Sequence, residues 1–302
     1  MTNDLTQHLE IALRHGSLGL TVTRIPRVDL CVGQSSTDKA PCLYRSMICF
    51  ILQGSKHVAI NDNLLSYDSE QYLISALDLP LIGQIFDSEE GLPYVAVSLV
   101  LDPAILAELA ATMPPVYERE QKGIGIMINP MNTSLRDTLL RLLSLLDTPD
   151  DIPILAPLVE RELLYRLLQG PQGKLLRQIA QPDGPLDSIR RAVAWIRDNY
   201  NIQLRIEALC DVSGMSRASL HRHFLSMTGL SPIQYQKQLR LQEARQLLLA
   251  GIRASDVAFA VGYESASQFS REYLRQFGVS PVRDMHQIRQ VIETSITEQR
   301  VE

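Results

Sequence analysis

The sequence predicts an α+β chain in which an antiparallel β domain with flanking helices precedes an all-helical domain. Three observations predict it. Short apolar runs separated by turn residues fill the chain up to about Leu101. From Asp102 onward the apolar spacing changes to the three- and four-residue steps of helices. The C-terminal third then repeats itself with a period of about 49 residues. A length of 302 residues fits two domains at the usual ~100–200 residues each.

In the first part, Met47 to Gln53 is an apolar run with β-branched and aromatic members, ended by Gly54. Lys56 to Ile60 follows, then Asn61-Asp62-Asn63, whose side chains tolerate a left-handed backbone and suit a tight turn. Leu64 to Tyr67, Gln71 to Ser75, Leu81 to Phe86 and Tyr94 to Leu101 continue the pattern. Such regularly spaced short strands suggest an antiparallel sandwich or barrel.

Asp102 can cap a helix whose first position is Pro103, with Ile105, Leu106 and Leu109 as its apolar face. Thr133 or Ser134 can start a second helix carrying Leu135, Leu139, Leu142, Leu143 and Leu146 at helical steps. A third spans Ile154 to Gln169. Two Leu-rich helices can cap the sheet or pair with a second subunit, and both uses give the same stripe. Gly170-Pro171-Gln172-Gly173 and Gln181-Pro182-Asp183-Gly184-Pro185 bracket a short helical piece and mark a linker. The expected division is therefore 1–170 for a sensor and dimerisation domain, 171–185 for the linker, 186–290 for a helical domain and 291–302 for a tail.

Net charge is −5, which argues against a uniformly basic polyanion binder. The charge is uneven, however. Asp187 to Arg289 holds 14 Lys/Arg against 9 Asp/Glu, so a cationic C-terminal third follows an anionic remainder, and only one part is suited to meet nucleic acid. No apolar run reaches the ~18 residues of a membrane span, and the first ten residues lack a basic stretch leading into an apolar core. A cytoplasmic protein without membrane contact is expected.

The repeat carries the function. Its first copy reads Leu209-Cys210-Asp211-Val212-Ser213-Gly214-Met215, then Leu220, Phe224 and Gly229-Leu230-Ser231-Pro232. Its second reads Val257-Ala258-Phe259-Ala260-Val261-Gly262-Tyr263, then Phe269, Tyr273 and Gly278-Val279-Ser280-Pro281. Each copy is a short helix ended by glycine, a second helix, and a Gly-x-Ser-Pro that stops it and starts a third. Helix, glycine turn, helix is the helix-turn-helix plan, whose second helix enters the DNA major groove. With Leu220 and Phe224 inward, Arg217, Ala218, His221 and Arg222 face outward. With Phe269 and Tyr273 inward, Ala266, Ser267, Ser270, Arg271 and Arg275 face outward. Arginine suits guanine because its planar fork meets O6 and N7 together.

Pro232 to Leu249 forms a strut between the two copies. Its ~18 residues at 1.5 Å each span roughly 27 Å, close to the ~34 Å between successive major grooves on one face of DNA. Arg217, Lys237 and Arg275 are candidates for phosphate contact. Arg240 and Arg245 on the strut suit ion pairs within the domain as well as DNA. His223 and Trp195 are read as packing residues.

These motifs resemble the tandem helix-turn-helix domain of AraC/XylS-type transcriptional regulators. Leu209-Cys210-x-x-x-Gly214-Met215-Ser216, Leu220-x-Arg222-x-Phe224, Arg240-Leu241-x-x-Ala244-Arg245, Val257-Ala258-x-x-Val261-Gly262-Tyr263 and Phe277-Gly278-Val279-Ser280-Pro281 lie in family order over about a hundred residues. Leu52-Gln53-Gly54-Ser55-Lys56, Tyr72-Leu73-Ile74-Ser75, Asp78-Leu79-Pro80 and Leu101-Asp102-Pro103 resemble the cupin-like sensor domain of one AraC-type subgroup. The resemblance implies promoter DNA and RNA polymerase as partners, a small-molecule effector on the first domain, a homodimer, and activation as the common outcome. By the family pattern, base contacts fall on Ala218, His221, Arg222, Ala266, Ser267, Ser270 and Arg271. Alanine at 218 and 266 leaves specificity to the two arginines, thymine methyl contacts and DNA shape.

Other chemistries find little support. Between Leu30 and Leu101 the only histidine is His57, too few ligands for a catalytic metal. Nucleophile elbow, phosphate-binding glycine loop and HExxH are all missing, so no enzyme, metal or cofactor is expected. Cys31, Cys42 and Cys49 raise an alternative, a thiol-based redox or electrophile-sensing regulator, which requires positive charge and exposure around a thiolate. A ligand-binding module that recruits proteins without reading DNA is the other.

Overall fold

The computed structural model describes residues 2–33, 40–60, 63–87, 92–114 and 125–286. Among these residues, ten strands form two antiparallel sheets. They are β1 (Gly19–Val22), β2 (Val28–Gly33), β3 (Ala40–Tyr44), β4 (Met47–Gln53), β5 (Ser55–Ile60), β6 (Asn63–Asp68), β7 (Gln71–Ser75), β8 (Leu79–Phe86), β9 (Tyr94–Val100) and β10 (Ile126–Pro130). One sheet runs β1-β2-β9-β4-β7-β10 and the other β3-β8-β5-β6. The β5–β6 register begins at Ile60 opposite Asn63; the expected turn at Asn61 and Asp62 lies outside the described residues.

Alternation sets what faces the space between the sheets. On β5, Val58 and Ile60 are buried, and Lys56 shares their face because side chains repeat with a period of two. On the six-stranded sheet, β4 pairs Ile48 with Leu99 and Cys49 with Ser98, and both faces of β4 are buried. Helices cover its outer face, so this strand reads as a continuous apolar run instead of an alternating one.

The helices are α1 (Thr2–His15), α2 (Pro103–Ala111), α3 (Thr133–Ser144), α4 (Ile152–Gln169), α5 (Gly173–Ala180), α6 (Pro185–Asp198), α7 (Ile206–Ser213), α8 (Arg217–Thr228), α9 (Pro232–Leu249), α10 (Ala254–Ala260) and α11 (Ala266–Phe277). Asp102 caps α2 by accepting from the Ala104 amide, with Pro103 in the first position. α3 starts at Thr133, as expected, and its cap is Asn132, whose side chain accepts from the Leu135 amide. Five elements have no counterpart in the sequence reading: α1, the strands β1, β2 and β3, and β10. Ile11 and Ala12 of α1 are buried, so this helix hides one stripe against the sheet and α3.

The bracketed stretch after Gln169 is no free tether. Leu175, Leu176, Ile179 and Ala180 of α5 are buried and packed toward α2 and α4, because only that stripe of the short helix is apolar. On α4 the guanidinium of Arg27 reaches buried Glu160, with Nε at 3.0 Å and Nη2 at 2.6 Å from its carboxylate oxygens. Ile154, Leu155 and Leu158 of the same helix are exposed.

One apolar core runs from the sandwich through α6 to Leu220, Phe224, Tyr235 and Leu239. A second, separate core holds Leu241, Leu248, Val257, Val261, Phe269 and Tyr273. The first helical repeat is thus continuous with the β domain, and the second has its own centre.

Candidate nucleic-acid interface

Both repeats adopt the predicted helix, glycine turn, helix geometry. Gly214 caps α7 at φ 68°, and Gly262 follows α10 at φ 87°. Both angles lie in the left-handed region that favours glycine. At Gly262 the constraint is doubled, since a Cβ there would come within 2.1 Å of the Asn201 carbonyl oxygen. Ser216 and Ser265 cap the second helices by accepting from Ser219 and Gln268. Gly229 and Gly278 end them in left-handed conformation.

The strut is α9, whose N-terminus is a capping box. Ser231 accepts from the Gln234 amide while the Gln234 side chain accepts from the Ser231 amide, with Pro232 in the first helical position. Its 18 residues correspond to ~27 Å of helix. Arg240 holds it to both neighbours: Nε donates to the Tyr200 carbonyl at 2.6 Å, Nη1 to Gly262 at 2.8 Å and Nη2 to Ile202 at 2.8 Å. Arg245 pairs with buried Asp284 at 2.8 Å, and the Tyr273 hydroxyl donates to the same carboxylate at 2.6 Å. These two arginines are therefore internal fasteners and not groove readers.

The remaining cations sort by partner. Ala218 and Arg222 on α8, and Ser267, Ser270 and Arg271 on α11, are exposed; His221 and Ala266 are half-exposed. Among the described residues no carboxylate pairs with Arg222 or Arg271. Arg222 lies 3.4 Å from the His223 ring nitrogen, and Arg271 donates to the Ser267 carbonyl at 3.3 Å. Among the described residues, two guanidinium groups thus stand without a carboxylate partner at corresponding places of the two helices. Arg217 and Arg275 are exposed as well, with Arg217 3.9 Å from Glu207. Lys237 differs, because its ammonium meets Glu272 at 3.0 Å. The Tyr263 hydroxyl also donates to Glu272, and these bonds hold that carboxyl below the ordinary range despite burial. Reading outward faces alone missed Glu272; the Gln268–Glu272 spacing of four was its only trace.

Trp195 packs against the core but stays half-exposed. The thiols fare differently from the sensing alternative. All four cysteines are free, and burial pushes the Cys31, Cys42 and Cys49 thiols up. Thiols held in the protonated form are poor nucleophiles, and Cys49 is also buried, so that alternative is not favoured. Among the described residues no cluster of His, Cys, Asp or Glu could hold a metal ion, and no helix is long and apolar enough to cross a membrane.

Residues 24–175 match the AraC-type transcriptional regulator N-terminus, and residues 209–286 match a helix-turn-helix domain. The chain belongs to the AraC family of transcriptional regulators. Among its AraC-family relatives, the HTH-type transcriptional activator RhaS of Salmonella arizonae is 28% identical over 189 residues, covering 61% of this chain and 66% of that protein. The match thus spans just under two thirds of that relative. RhaS of Escherichia coli O9:H4 is 32% identical over 144 residues, 46% of this chain and 49% of that one. The structure of an apo lysine-to-alanine variant of ToxT from Vibrio cholerae strain SCE256 superposes with a TM-score of 0.56 at 13% identity, covering 89% of this chain and 99% of that one. Unsaturated fatty acid bound wild-type ToxT from the same strain gives 0.52 at 12% identity over 85% and 94%. At such identities the likeness concerns the AraC-type fold.

Proposed function

We propose that this chain is a sequence-specific DNA-binding transcriptional regulator, acting in the cytoplasm, that reads two successive major grooves with α8 and α11. The carrying observation is the pair of exposed, uncompensated guanidinium groups, Arg222 and Arg271, at matching positions on two helices joined by one rigid strut. Arg222 and Arg271 take guanine edges, with Ala218, His221, Ala266, Ser267 and Ser270 beside them on base edges and methyl groups. Arg217 and Arg275 neutralise phosphates. Lys237 joins them only by leaving Glu272, so its share is the smallest of the three.

RhaS bears the name of an activator, which supports activation and contact with RNA polymerase here. The fatty acid of ToxT supports a small-molecule effector on the β domain. Exposed Ile154, Leu155 and Leu158 support a homodimer through α4, whereas the leucine stripe of α3 is buried within the chain. The domain limits are placed at about 170 and 186, on either side of the bracketed stretch, and the chain carries no catalysis of its own.

Binding to a duplex selected from a random library, set against a scrambled duplex, tests the reading. Arg222→Ala or Arg271→Ala should each cost ~1–3 kcal/mol on the selected site and far less on the scrambled one. Equal losses on both would remove base reading. Affinity should also fall steeply with salt through counterion release, which a protein-recruiting module would not require.

A further inference from the structure

The two helix-turn-helix repeats share more than one pair of arginines. From Arg205 to Thr228 the first repeat holds Arg205, Arg217 and Arg222; from Arg253 to Phe277 the second holds Arg253, Arg271 and Arg275. Neither stretch contains a lysine. Arg222 and Arg271 correspond as the groove readers. Arg205 and Arg253 correspond as well, since each is the residue just before the first helix of its repeat, in extended backbone. Their spacing of 48 residues is that of the turn glycines, Gly214 and Gly262. Arg217 and Arg275 have no such counterparts.

By local physics arginine is a poor choice for that place. The position before a helix favours Ser, Thr, Asp or Asn, whose side chains cap the free amides, and a cation there opposes the helix dipole. Ser216, Ser231 and Ser265 do this for α8, α9 and α11, whereas neither Arg205 nor Arg253 makes a capping bond. A local rule broken at matching places of both repeats marks a demand other than stability. Both side chains are exposed. Among the described residues no carboxylate pairs with Arg205. Arg253 meets Asp256 at 3.0 Å, but with 84% and 50% of the two side chains exposed that pair is weak and readily given up. Position then names the partner. Arg217 at the start of α8 lies 3.9 Å from Glu207 in the first turn of α7, so the residue before α7 borders the end of α8 that meets base edges. The first helix of such a motif crosses the DNA backbone there.

We infer that Arg205 and Arg253 each grip one phosphate of the DNA backbone, one per module, beside the grooves that α8 and α11 read. This rests on the DNA reading above and adds the contacts that fix its register. A guanidinium fork takes two oxygens of one phosphate, and such a contact positions the protein without carrying sequence information. Because the two arginines hold matching places in modules joined by one strut, the two grips are spaced as the two readers are. Arg222 and Arg271 choose the bases; Arg205 and Arg253 set the depth and angle at which their helices enter.

The test uses the purified full chain on the selected and the scrambled duplex, between about 0.05 and 0.2 M salt. Arg205→Ser and Arg253→Ser each introduce a capping residue, so their unfolding midpoints should match or exceed the parent's. Each should weaken both duplexes alike and lower the slope of log affinity against log salt by about one. The loss relative to the parent should therefore shrink about 3.5-fold across that salt range. Arg205→Lys and Arg253→Lys keep the charge and should keep the parent's slope. Ethylating the phosphates should block the parent at one position per module that the matching serine variant tolerates. A parent-like slope in either serine variant, a loss confined to the selected duplex, a slope that lysine does not restore, or identical ethylation patterns would overturn the assignment. Arg222→Ala, measured alongside, separates the two readings. Its loss on the selected duplex alone sustains base reading even where the grips fail, and equal losses on both duplexes remove base reading while leaving the grips standing.

Discussion

The hydroxyl of Tyr235, on the strut helix, donates to the backbone carbonyl of Asp78 over 2.6 Å. The Asp78 side chain meanwhile meets Arg197 of α6 at 2.5 Å and accepts from the Ser46 amide at 3.1 Å. Asp78, between β7 and β8, thus clasps both the first helix of the C-terminal domain and its strut. Tyr235→Phe should cost about 0.5–1.5 kcal/mol of stability. Because Arg197 reaches the same residue, Arg197→Ala combined with Tyr235→Phe should be non-additive by ~0.5 kcal/mol or more in a double-mutant cycle. Strict additivity in denaturant melts would show that Asp78 does not couple the two helices.

Glycine is required more strictly at one turn than at the other. Gly214→Ala meets only the left-handed backbone, since nothing lies within 4 Å of its Cβ position, and should cost ~1 kcal/mol. Gly262→Ala adds collision with the Asn201 carbonyl and should cost ~2–4 kcal/mol. Equal unfolding midpoints for the two variants would contradict this difference.

Acid should loosen the contact between α3 and α4. Arg141 and then Arg166 bond the Glu162 carboxyl and hold it below its ordinary value of about 4.5. A carboxyl lowered on folding stabilises fully above its unfolded value, and that contribution is lost as pH falls through the folded value. Glu162→Gln should therefore melt earlier than the parent protein at pH 7, with the gap closing as pH drops below about 4.5. A gap that is constant across that range would exclude the carboxylate as its source.

The apolar stripe on α4 bears on assembly. Ile154 is 69% exposed and Leu158 is 60% exposed, one helical turn apart. The combined Ile154→Glu and Leu158→Glu variant should sediment as a monomer at concentrations where the parent protein is a dimer. An unchanged mass would assign the stripe another use.

Much of this was legible because spacing carries it. Apolar period, glycine and Ser-Pro placed the second helix of each repeat and the glycine turns before them, and Pro232 to Leu249 matched the strut. What escaped depends on distant partners. The helix around Ile11 and the strand at Ile126 carry weak local signals and owe their form to the sheet they cover or extend. Asp78 looked like part of a motif, and only the folded chain brings it to Arg197 and Tyr235. Lys237 stood outward by helical period, yet Glu272, 35 residues away, takes its charge. Lys56 resembled an ordinary strand lysine until the second sheet closed over it.

Methylation interference on the selected operator tests the central claim most directly. Methyl groups at guanine N7 should block binding in two clusters about one helical turn apart on one face of the duplex. Arg222→Ala should erase one cluster and Arg271→Ala the other. A single cluster, or two clusters that both variants leave intact, would contradict the account.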